Sequence, residues 1–197
     1  MTPASADAGG ETAYDVIVVG GGMVGAAVAA ALAPTPLRVA VVEARPTAQQ
    51  PASDGRRVSA LTAGSVRILK GLGAWEAVSQ GDTEPIRAMT VWDGERAGGL
   101  GFEAGEVGLE ALGALAPNGA IAQALQAATR EAPNVDWYCP ARWMGLEQDD
   151  ERATLRVSAE GGARALRAPL LVAADGPVSA VRQAAGTDTV GREYGQS

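Results

Sequence analysis

Valine-rich runs and glycine-rich breaks alternate in residues 14–43, in an order that predicts strand, helix and strand. The runs at 16–19 and 39–42 suit buried parallel strands, because neither face carries a polar position. Between them, the alanine-rich residues 26–33 predict a closely packed helix that Pro34 and Pro36 terminate. The pattern therefore predicts one complete βαβ unit.

Residues 59–72 have apolar positions at helical spacing and predict a second helix. Ser59 is expected to cap its start, and Gly71 or Gly73 its end. The positions expected on its buried side are Leu61, Ile68, Leu69 and Leu72.

The chain then leaves this pattern and returns to it. A short apolar run at 89–92, followed by glycine-rich residues up to Gly108, predicts a strand or hairpin of a different sheet. A helix at 118–130 and a strand at 135–138 mark the return. The positions expected on one side of this helix are Ile121, Leu125 and Ala128.

An antiparallel meander is predicted next, because alternating segments at 141–147, 153–159 and 164–167 are joined by polar or glycine turns. The acidic turn at 149–151 lacks the ligand spacing of a calcium loop and is interpreted as a solvated turn.

A buried strand at 170–174 follows and ends in Asp175 and Gly176, and a helix is predicted to begin at 179–185. Open α/β sheets bind ligands at this end of their parallel strands. An aspartate that only caps the following helix would give the same pattern, so both interpretations remain open.

The glycines of the first βαβ unit have the spacing of a dinucleotide-binding loop. Gly20 is expected to allow a sharp turn, Gly22 the approach of a pyrophosphate, and Gly25 close packing of helix on sheet. The helix N-terminus favours an anion at this loop. Glu43 ends the second strand, where a carboxylate accepts hydrogen bonds from ribose hydroxyls and repels a 2′-phosphate.

Composition narrows the chemistry further. The 197 residues are 47% hydrophobic, enough for a substantial core, and the net charge of −7 argues against a nucleic-acid partner. The chain has no histidine, and Cys139 is its one cysteine, interpreted as a small buried hydrophobic residue. We therefore predict no metal site and assign no catalytic residue. The sequence predicts no signal peptide and no membrane span.

Several local segments resemble the FAD-dependent aromatic-ring monooxygenases of the para-hydroxybenzoate hydroxylase type, in particular their ubiquinone-biosynthesis branch. The resemblance covers residues 14–196, nearly the whole chain. The segments that carry it, besides Asn118 and the helix around Leu125, are 43–46 (EARP), 57–61 (RVSAL), 72–75 (LGAW), 91–93 (VWD), 174–182 (ADGPVSAVR) and 194–196 (YGQ).

The resemblance implies a role for each matching residue. Gly20, Gly22 and Gly25 would hold the FAD pyrophosphate, and Glu43 the adenosine ribose. Arg57 would reach the FAD phosphates. The remaining assignments are Asn118 at the flavin side of the cofactor, and Asp175 and Gly176 near the pyrophosphate, where NAD(P)H also passes.

The same resemblance implies an α/β fold, with a Rossmann-like FAD-binding βαβ domain, a small antiparallel meander and an incomplete substrate-domain sheet. Residues 1–12 are small and polar, and this composition predicts a disordered lead-in. Residues 13–82 and 110–188 would form the FAD-binding domain, and 83–109 and 189–197 a truncated part of the substrate domain.

The implied activity is hydroxylation of a phenolic ring with FAD, NAD(P)H and O₂. The expected location is the cytoplasm. Peripheral association with the inner membrane or with other enzymes is left open. Family members continue into a substrate sheet and further cofactor-binding segments, so this chain alone is expected to be inactive. The alternatives are a nucleotide-binding module without chemistry, such as a split-gene subunit or degenerate copy, and an NAD-dependent dehydrogenase domain, which the sheet excursion disfavours. Pro117 and Gly119, which replace the family's usual residues beside Asn118, favour the degenerate copy.

Overall fold

The computed structural model describes residues 11–45, 57–94 and 98–191. The strands are β1 (Glu11–Ala13), β2 (Val16–Val19), β3 (Val39–Val42), β4 (Val58–Thr62), β5 (Glu84–Ile86), β6 (Ala88–Trp92), β7 (Gly99–Glu103), β8 (Gly113–Pro117), β9 (Val135–Tyr138), β10 (Ala141–Gln148), β11 (Ala153–Ala159), β12 (Gly162–Ala168) and β13 (Leu170–Ala173). The helices are α1 (Met23–Leu32), α2 (Ala63–Gly71), α3 (Trp75–Ser79), α4 (Asn118–Thr129) and α5 (Ala180–Ala184), with a 3-10 helix at Ala104–Val107.

The chain divides into two compact units. The first unit comprises residues 1–46 and 133–197, and the second comprises residues 47–132.

A parallel sheet with the strand order β13-β2-β3-β9 forms the centre of the first unit. Every residue of β2 and β3 is buried, as the absence of polar positions predicted. One face of the sheet packs against α1, whose alanines permit a close approach. The predicted βαβ unit is therefore confirmed, with the helix beginning at Met23 rather than Ala26.

The opposite face of the parallel sheet packs against a second sheet with the order β1-β12-β11-β10, which is antiparallel except for the pairing of β1 with β12. Their shared core contains Ile17 and Val19 from β2 together with Leu155 and Leu166, all of them buried. The predicted meander is confirmed. The prediction of a disordered lead-in is wrong for residues 11 and 12, because β1 pairs in parallel with β12 and satisfies its backbone there.

In the second unit, an antiparallel sheet has the order β4-β8-β5. The predicted helix at 59–72 is wrong over its first turn, because residues 58–62 pair with β8 as a strand. Thr62, not Ser59, caps the helix by accepting the N–H of Ser65 at 3.2 Å. Leu69 is buried as expected, but Ile68 is 62% exposed.

Helix α4 of the second unit begins at Asn118 and has Arg130 as its C-cap, as predicted. Ile121 and Leu125 are buried, whereas Ala128 is exposed and Thr129 takes a buried place on that side. Helix α3 and strand β8 have no counterpart among the predictions, because both are short and lack a clear apolar period.

The predicted hairpin is β6 paired with β7. Every residue of both strands is exposed, including the large side chains Met89, Val91, Trp92, Leu100 and Phe102. The hairpin therefore exposes apolar side chains on both of its strands.

The predicted α/β architecture, a parallel βαβ sheet combined with antiparallel sheets, is therefore present. The predicted domain boundaries stay a prediction. The predictions made on residues 1–10 and 192–197, including the segment at 194–196, lie outside the described residues.

Candidate functional site

The first unit brings three of the predicted segments together at the carboxyl ends of its parallel strands. Gly20 directly follows β2, Glu43 directly follows β3, and Asp175 follows β13 after one intervening residue. Backbone hydrogen bonds continue past the strand ends, from Gly20 N–H to the Val42 carbonyl and from Ala174 N–H to the Val19 carbonyl, both at 2.8 Å. These strand ends are where open parallel sheets bind ligands.

Two glycines of the loop are required by its close contacts. Gly20 has a φ of +102°, and a Cβ there would collide with the Ala174 carbonyl oxygen. A Cβ at Gly25 would collide with the Gly20 carbonyl oxygen and would lie 3.1 Å from Val18 Cγ1. Helix α1 therefore begins directly against the turn, as the spacing predicted.

Gly22 differs from its neighbours because the space beside it is open. A Cβ at Gly22 would meet no atom of the described residues within 4 Å. Gly22 is also the N-cap of α1, where no side chain in the described part of the protein supplies a capping hydrogen bond. The first turn of α1 thus presents backbone N–H groups and the positive end of the helix dipole beside an open space.

Glu43 is buried, with 9% of its surface exposed. Its Oε2 accepts the N–H of Gly21 at 2.7 Å, and its Oε1 accepts the N–H of Arg45 at 2.8 Å. These bonds fix the carboxylate against the glycine loop. A carboxylate offers about four acceptor positions, and hydrogen bonds from the described residues occupy two of them.

Ser179 is the N-cap of helix α5, and Asp175 binds the start of the same helix from the preceding strand end. Oδ1 of Asp175 accepts the Ser179 hydroxyl at 2.5 Å, and its Oδ2 accepts the N–H groups of Ala180 at 2.9 Å and Val181 at 3.1 Å. Burial alone would raise the pKa of Asp175, but these hydrogen bonds outweigh it and hold the pKa below its ordinary value. The side chain of Asp175 therefore holds the first turn of α5, although Ser179 and not Asp175 is its N-cap, and the ligand-binding interpretation of this strand end stays a prediction. Gly176 follows with a φ of +101°, a conformation that glycine adopts without strain.

Arg57 and Asn118 both belong to the second unit and are neighbours there. The pairing of β4 with β8 brings the Asn118 N–H within 3.0 Å of the Arg57 carbonyl oxygen. The Ser59 hydroxyl donates to Asn118 Oδ1 at 2.6 Å. Ser59, predicted as a helix cap, therefore orients the Asn118 amide instead, while the side chain of Arg57 is exposed.

Sequence reasoning missed Trp137 and Gly21 at these strand ends of the parallel sheet. A Cβ at Gly21 would lie 2.7 Å from Cζ3 of Trp137 and 2.9 Å from Cβ of Glu43. Trp137 was interpreted only as a residue of the strand at 135–138. Its position next to the loop follows from the pairing of β9 with β3, which the sequence pattern does not encode.

Two other predictions concern sites elsewhere. The acidic turn is exposed, and Asp149 Oδ1 accepts the N–H groups of Glu151 and Arg152, which lower the pKa of its carboxyl group. Cys139 is half-buried rather than buried.

Within residues 11–45, 57–94 and 98–191, no group of three or more His, Cys, Asp or Glu side chains is placed to hold a metal ion. In that same part of the chain, no helix is long and apolar enough to cross a membrane.

A family model described as "FAD binding domain" matches residues 13–196. The 3-demethoxyubiquinol 3-hydroxylase of Escherichia coli K12 is 37% identical over 185 residues, covering 93% of this chain and 46% of that protein. The mitochondrial ubiquinone biosynthesis monooxygenase COQ6 of Xenopus tropicalis is 32% identical over 201 residues, covering 94% and 42%. This chain thus spans less than half the length of these curated relatives.

Solved structures show the same fold. The p-nitrophenol 4-monooxygenase of Pseudomonas putida DLL-E4 superposes with a TM-score of 0.73 at 24% identity, covering 90% of this chain and 44% of that one. The flavin-dependent monooxygenase PieE, solved with FAD and substrate, superposes with a TM-score of 0.68 at 21% identity, covering 88% and 32%.

Proposed function

Because this chain belongs to the FAD-binding domain family of the flavin-dependent monooxygenases, we propose that it is the N-terminal cofactor-binding part of an enzyme that hydroxylates a phenolic ring. The observation that carries this proposal is the open space at Gly22, at the start of α1 where no described side chain caps the helix, next to Gly21, whose N–H the buried Glu43 carboxylate accepts. A pyrophosphate and a ribose need these two kinds of partner side by side.

The first unit fits the adenosine and pyrophosphate parts of FAD. Gly20 and Gly25 shape the turn, and Gly22 leaves room for phosphate oxygens near the backbone N–H groups of α1. Glu43 is held in place by Gly21 and Arg45 and keeps acceptor positions for the ribose hydroxyls. An adenosine without a 2′-phosphate suits this buried carboxylate.

The other assignments follow from the family. Arg57 is proposed to bind the FAD phosphates, and Asn118 to contact the flavin side of the cofactor. The Ser59 hydroxyl supports the second assignment, because it fixes the Oδ1 of Asn118 and so determines which way the amide N–H₂ group points. Asp175 and Gly176 are proposed to lie beside the pyrophosphate, with Asp175 acting mainly by holding α5 and the backbone of the turn.

Bound FAD would supply the redox chemistry, taking electrons from NAD(P)H and using O₂ to hydroxylate the phenol. The residues of this chain bind and orient the cofactor. The names of the relatives favour a ring of the ubiquinone pathway as substrate, because one is a 3-demethoxyubiquinol 3-hydroxylase and the other a ubiquinone biosynthesis monooxygenase. A cytoplasmic location, with peripheral contact to the inner membrane or to other enzymes of the pathway, would suit such a substrate.

Deletion of the gene in its source organism tests the pathway assignment. We expect less ubiquinone and the accumulation of a precursor that lacks one hydroxyl or methoxy group, measured by mass spectrometry of extracted quinones. Unchanged quinones would contradict the assignment to this pathway, while FAD binding by the purified chain would still support the cofactor site.

We further propose that the 197 residues alone bind FAD without catalysis, because the first unit is built for the cofactor whereas the apolar hairpin of the second unit is exposed rather than closed over a pocket. The purified chain, loaded with FAD and given NADH or NADPH and a short-chain prenylated phenol, should yield no hydroxylated product. Product formation would contradict this. Tighter binding of NAD than of FAD in the same preparation would favour the dehydrogenase alternative.

A further inference from the structure

Trp137 lies on β9, at the edge of the parallel sheet in the first unit. It is paired with Val41 of β3, so that its side chain lies on the face of the sheet that α1 covers. The residue after it has the opposite orientation, since Tyr138 hydrogen-bonds Tyr14 at 2.8 Å between hydroxyls and packs against the core shared with the antiparallel sheet. The indole is thus separate from that core.

The edge of the Trp137 indole contacts the glycine loop. A Cβ at Gly21 would lie 2.7 Å from Trp137 Cζ3, and the same point lies 2.9 and 3.2 Å from Cβ and Cγ of Glu43. The close approach of Trp137 and Glu43 therefore leaves no room for a side chain at Gly21. The indole, the loop and the Glu43 carboxylate converge, and the indole remains half-buried rather than enclosed.

This arrangement places an aromatic surface beside the acceptors proposed for a ribose. The half-buried indole is a large, rigid aromatic ring, and adenine is a planar ring that stacks on such rings. The neighbouring Glu43 is held by backbone N–H groups and provides the polar partner for the sugar. Together they have the chemistry that recognises an adenosine.

We propose that Trp137 forms the wall of the cofactor site on its adenosine side and packs against the adenosine of bound FAD. This inference rests on the proposed FAD site. It makes Trp137 a residue that positions the nucleotide, while Glu43 supplies hydrogen bonds. It also predicts that ADP, which lacks the flavin, suffices to contact the indole.

The test uses the full 197-residue chain with ADP and FAD as probes. Titration calorimetry gives the Kd of each ligand. Tryptophan emission is followed during the ADP titration, because ADP, unlike the flavin, does not absorb at the wavelengths of tryptophan emission. Trp137→Phe keeps an aromatic face, and Trp137→Ala removes it. Trp143→Ala is the matched control, because Trp143 packs against the core on the other face of the sheet.

We expect ADP to change the emission of the unsubstituted protein with the Kd found by calorimetry, and this change to disappear in Trp137→Phe although ADP still binds. Trp137→Ala should weaken ADP and FAD about tenfold or more, by equal factors, and Trp143→Ala should leave both Kd values within about threefold. Circular dichroism verifies that each variant is folded.

The proposal is overturned if ADP binds but leaves the emission of Trp137 unchanged, or if folded Trp137→Ala binds both ligands as the unsubstituted chain does. A purely structural role for Trp137 would lower the melting temperature without an ADP-dependent signal that Trp137→Phe removes. If neither ADP nor FAD binds the unsubstituted chain, the FAD site itself is wrong, which is a distinct result.

Discussion

The strand ends of the first unit and the β6–β7 hairpin of the second unit use apolar residues in opposite ways. Ile17, Val18 and Val41 are completely buried, and the loop they support is packed so closely that Gly20 and Gly25 accept no Cβ. In the hairpin, Trp92 is 67% exposed and Leu100 is 61% exposed. Substitutions in the first region should therefore affect folding and cofactor binding, and substitutions in the second should affect association.

The glycine loop itself contains a smaller version of this comparison. Gly25 is surrounded by the Gly20 carbonyl and Val18, whereas the space beside Gly22 is open. A packing requirement and a ligand requirement can thus be separated by the same substitution at two positions of one motif.

The largest effect is expected for Gly25→Ala. The added methyl group collides with the Gly20 carbonyl oxygen, so that α1 must move away from the sheet, at a cost of about 1–3 kcal/mol in unfolding free energy. FAD binding should be lost with it. Urea denaturation and a flavin fluorescence titration measure the two quantities.

Gly22→Ala is the matched control for Gly25→Ala. We expect its unfolding free energy to fall by less than about 1 kcal/mol, the usual range for alanine at an N-cap, because no described atom is near the new methyl group. Its FAD affinity should nevertheless fall, since the methyl group enters the space proposed for the pyrophosphate. Equal stability losses for the two variants would show that the loop does not separate the two roles.

Glu43→Gln comes next in size. The amide retains one acceptor oxygen but loses the charge that the N–H groups of Gly21 and Arg45 stabilise, and hydrogen bonds to charged groups contribute about 1.5–3 kcal/mol. FAD affinity should fall about tenfold or more by calorimetry. Glu147→Gln is the control, because that side chain is exposed and pairs only with Arg156 among the described residues. Unchanged affinity in Glu43→Gln would remove the carboxylate from the site.

Asp175→Ala should lower the unfolding free energy by about 1 kcal/mol, because the carboxylate loses its hydrogen bonds to Ser179 and to the first turn of α5. Because the folded-state pKa of Asp175 lies below its ordinary value, its contribution is complete above the unfolded-state pKa and disappears as pH falls through the folded-state value. The stability difference from the unsubstituted chain should thus be full at neutral pH and shrink below about pH 4.

Urea denaturation at neutral and acidic pH measures this dependence. Asp150→Ala serves as the control, because Asp150 is an exposed turn residue. If the stability difference between Asp175→Ala and the unsubstituted chain stayed constant down to about pH 2.5, the ionised carboxylate would not be what holds α5.

The smallest effect on the first unit is expected from the hairpin pair Val91→Thr with Leu100→Thr. These residues are directly opposite each other on one exposed face, and threonine keeps the strand preference while removing apolar surface. FAD affinity and unfolding free energy should be nearly unchanged. The unsubstituted chain is expected to self-associate, and the variant should do so less, as light scattering would show. A monodisperse unsubstituted monomer would contradict this.

The parts of the fold that the sequence predicted correctly are those whose pattern of apolar residues fits either a strand or a helix, but not both. The valines of β2 and β3, and the glycines between them, fit only a buried βαβ unit. Residues 58–62 fitted a strand or a helix, and the choice depended on β8, which lies far along the chain and has no clear pattern of its own. The contact of Trp137 with Gly21 likewise depends on strand register.

The candidate site divides in the same way. Gly20, Gly22, Gly25 and Glu43 form one local motif, so their convergence could be predicted from spacing. Asp175 was predicted at the correct strand end, but its hydrogen bonds with Ser179 and α5 decide what its side chain does. The Ser59 bond to Asn118 could not be predicted while Ser59 was assigned to a helix.

The central claim is that the strand ends of the first unit bind FAD through its adenosine and pyrophosphate. Competition calorimetry tests it most directly, by titrating FAD into the purified chain with and without saturating ADP. Our account predicts saturable binding of one FAD per chain that ADP displaces competitively. FAD binding that ADP leaves unchanged, or no FAD binding by the folded chain, would contradict it.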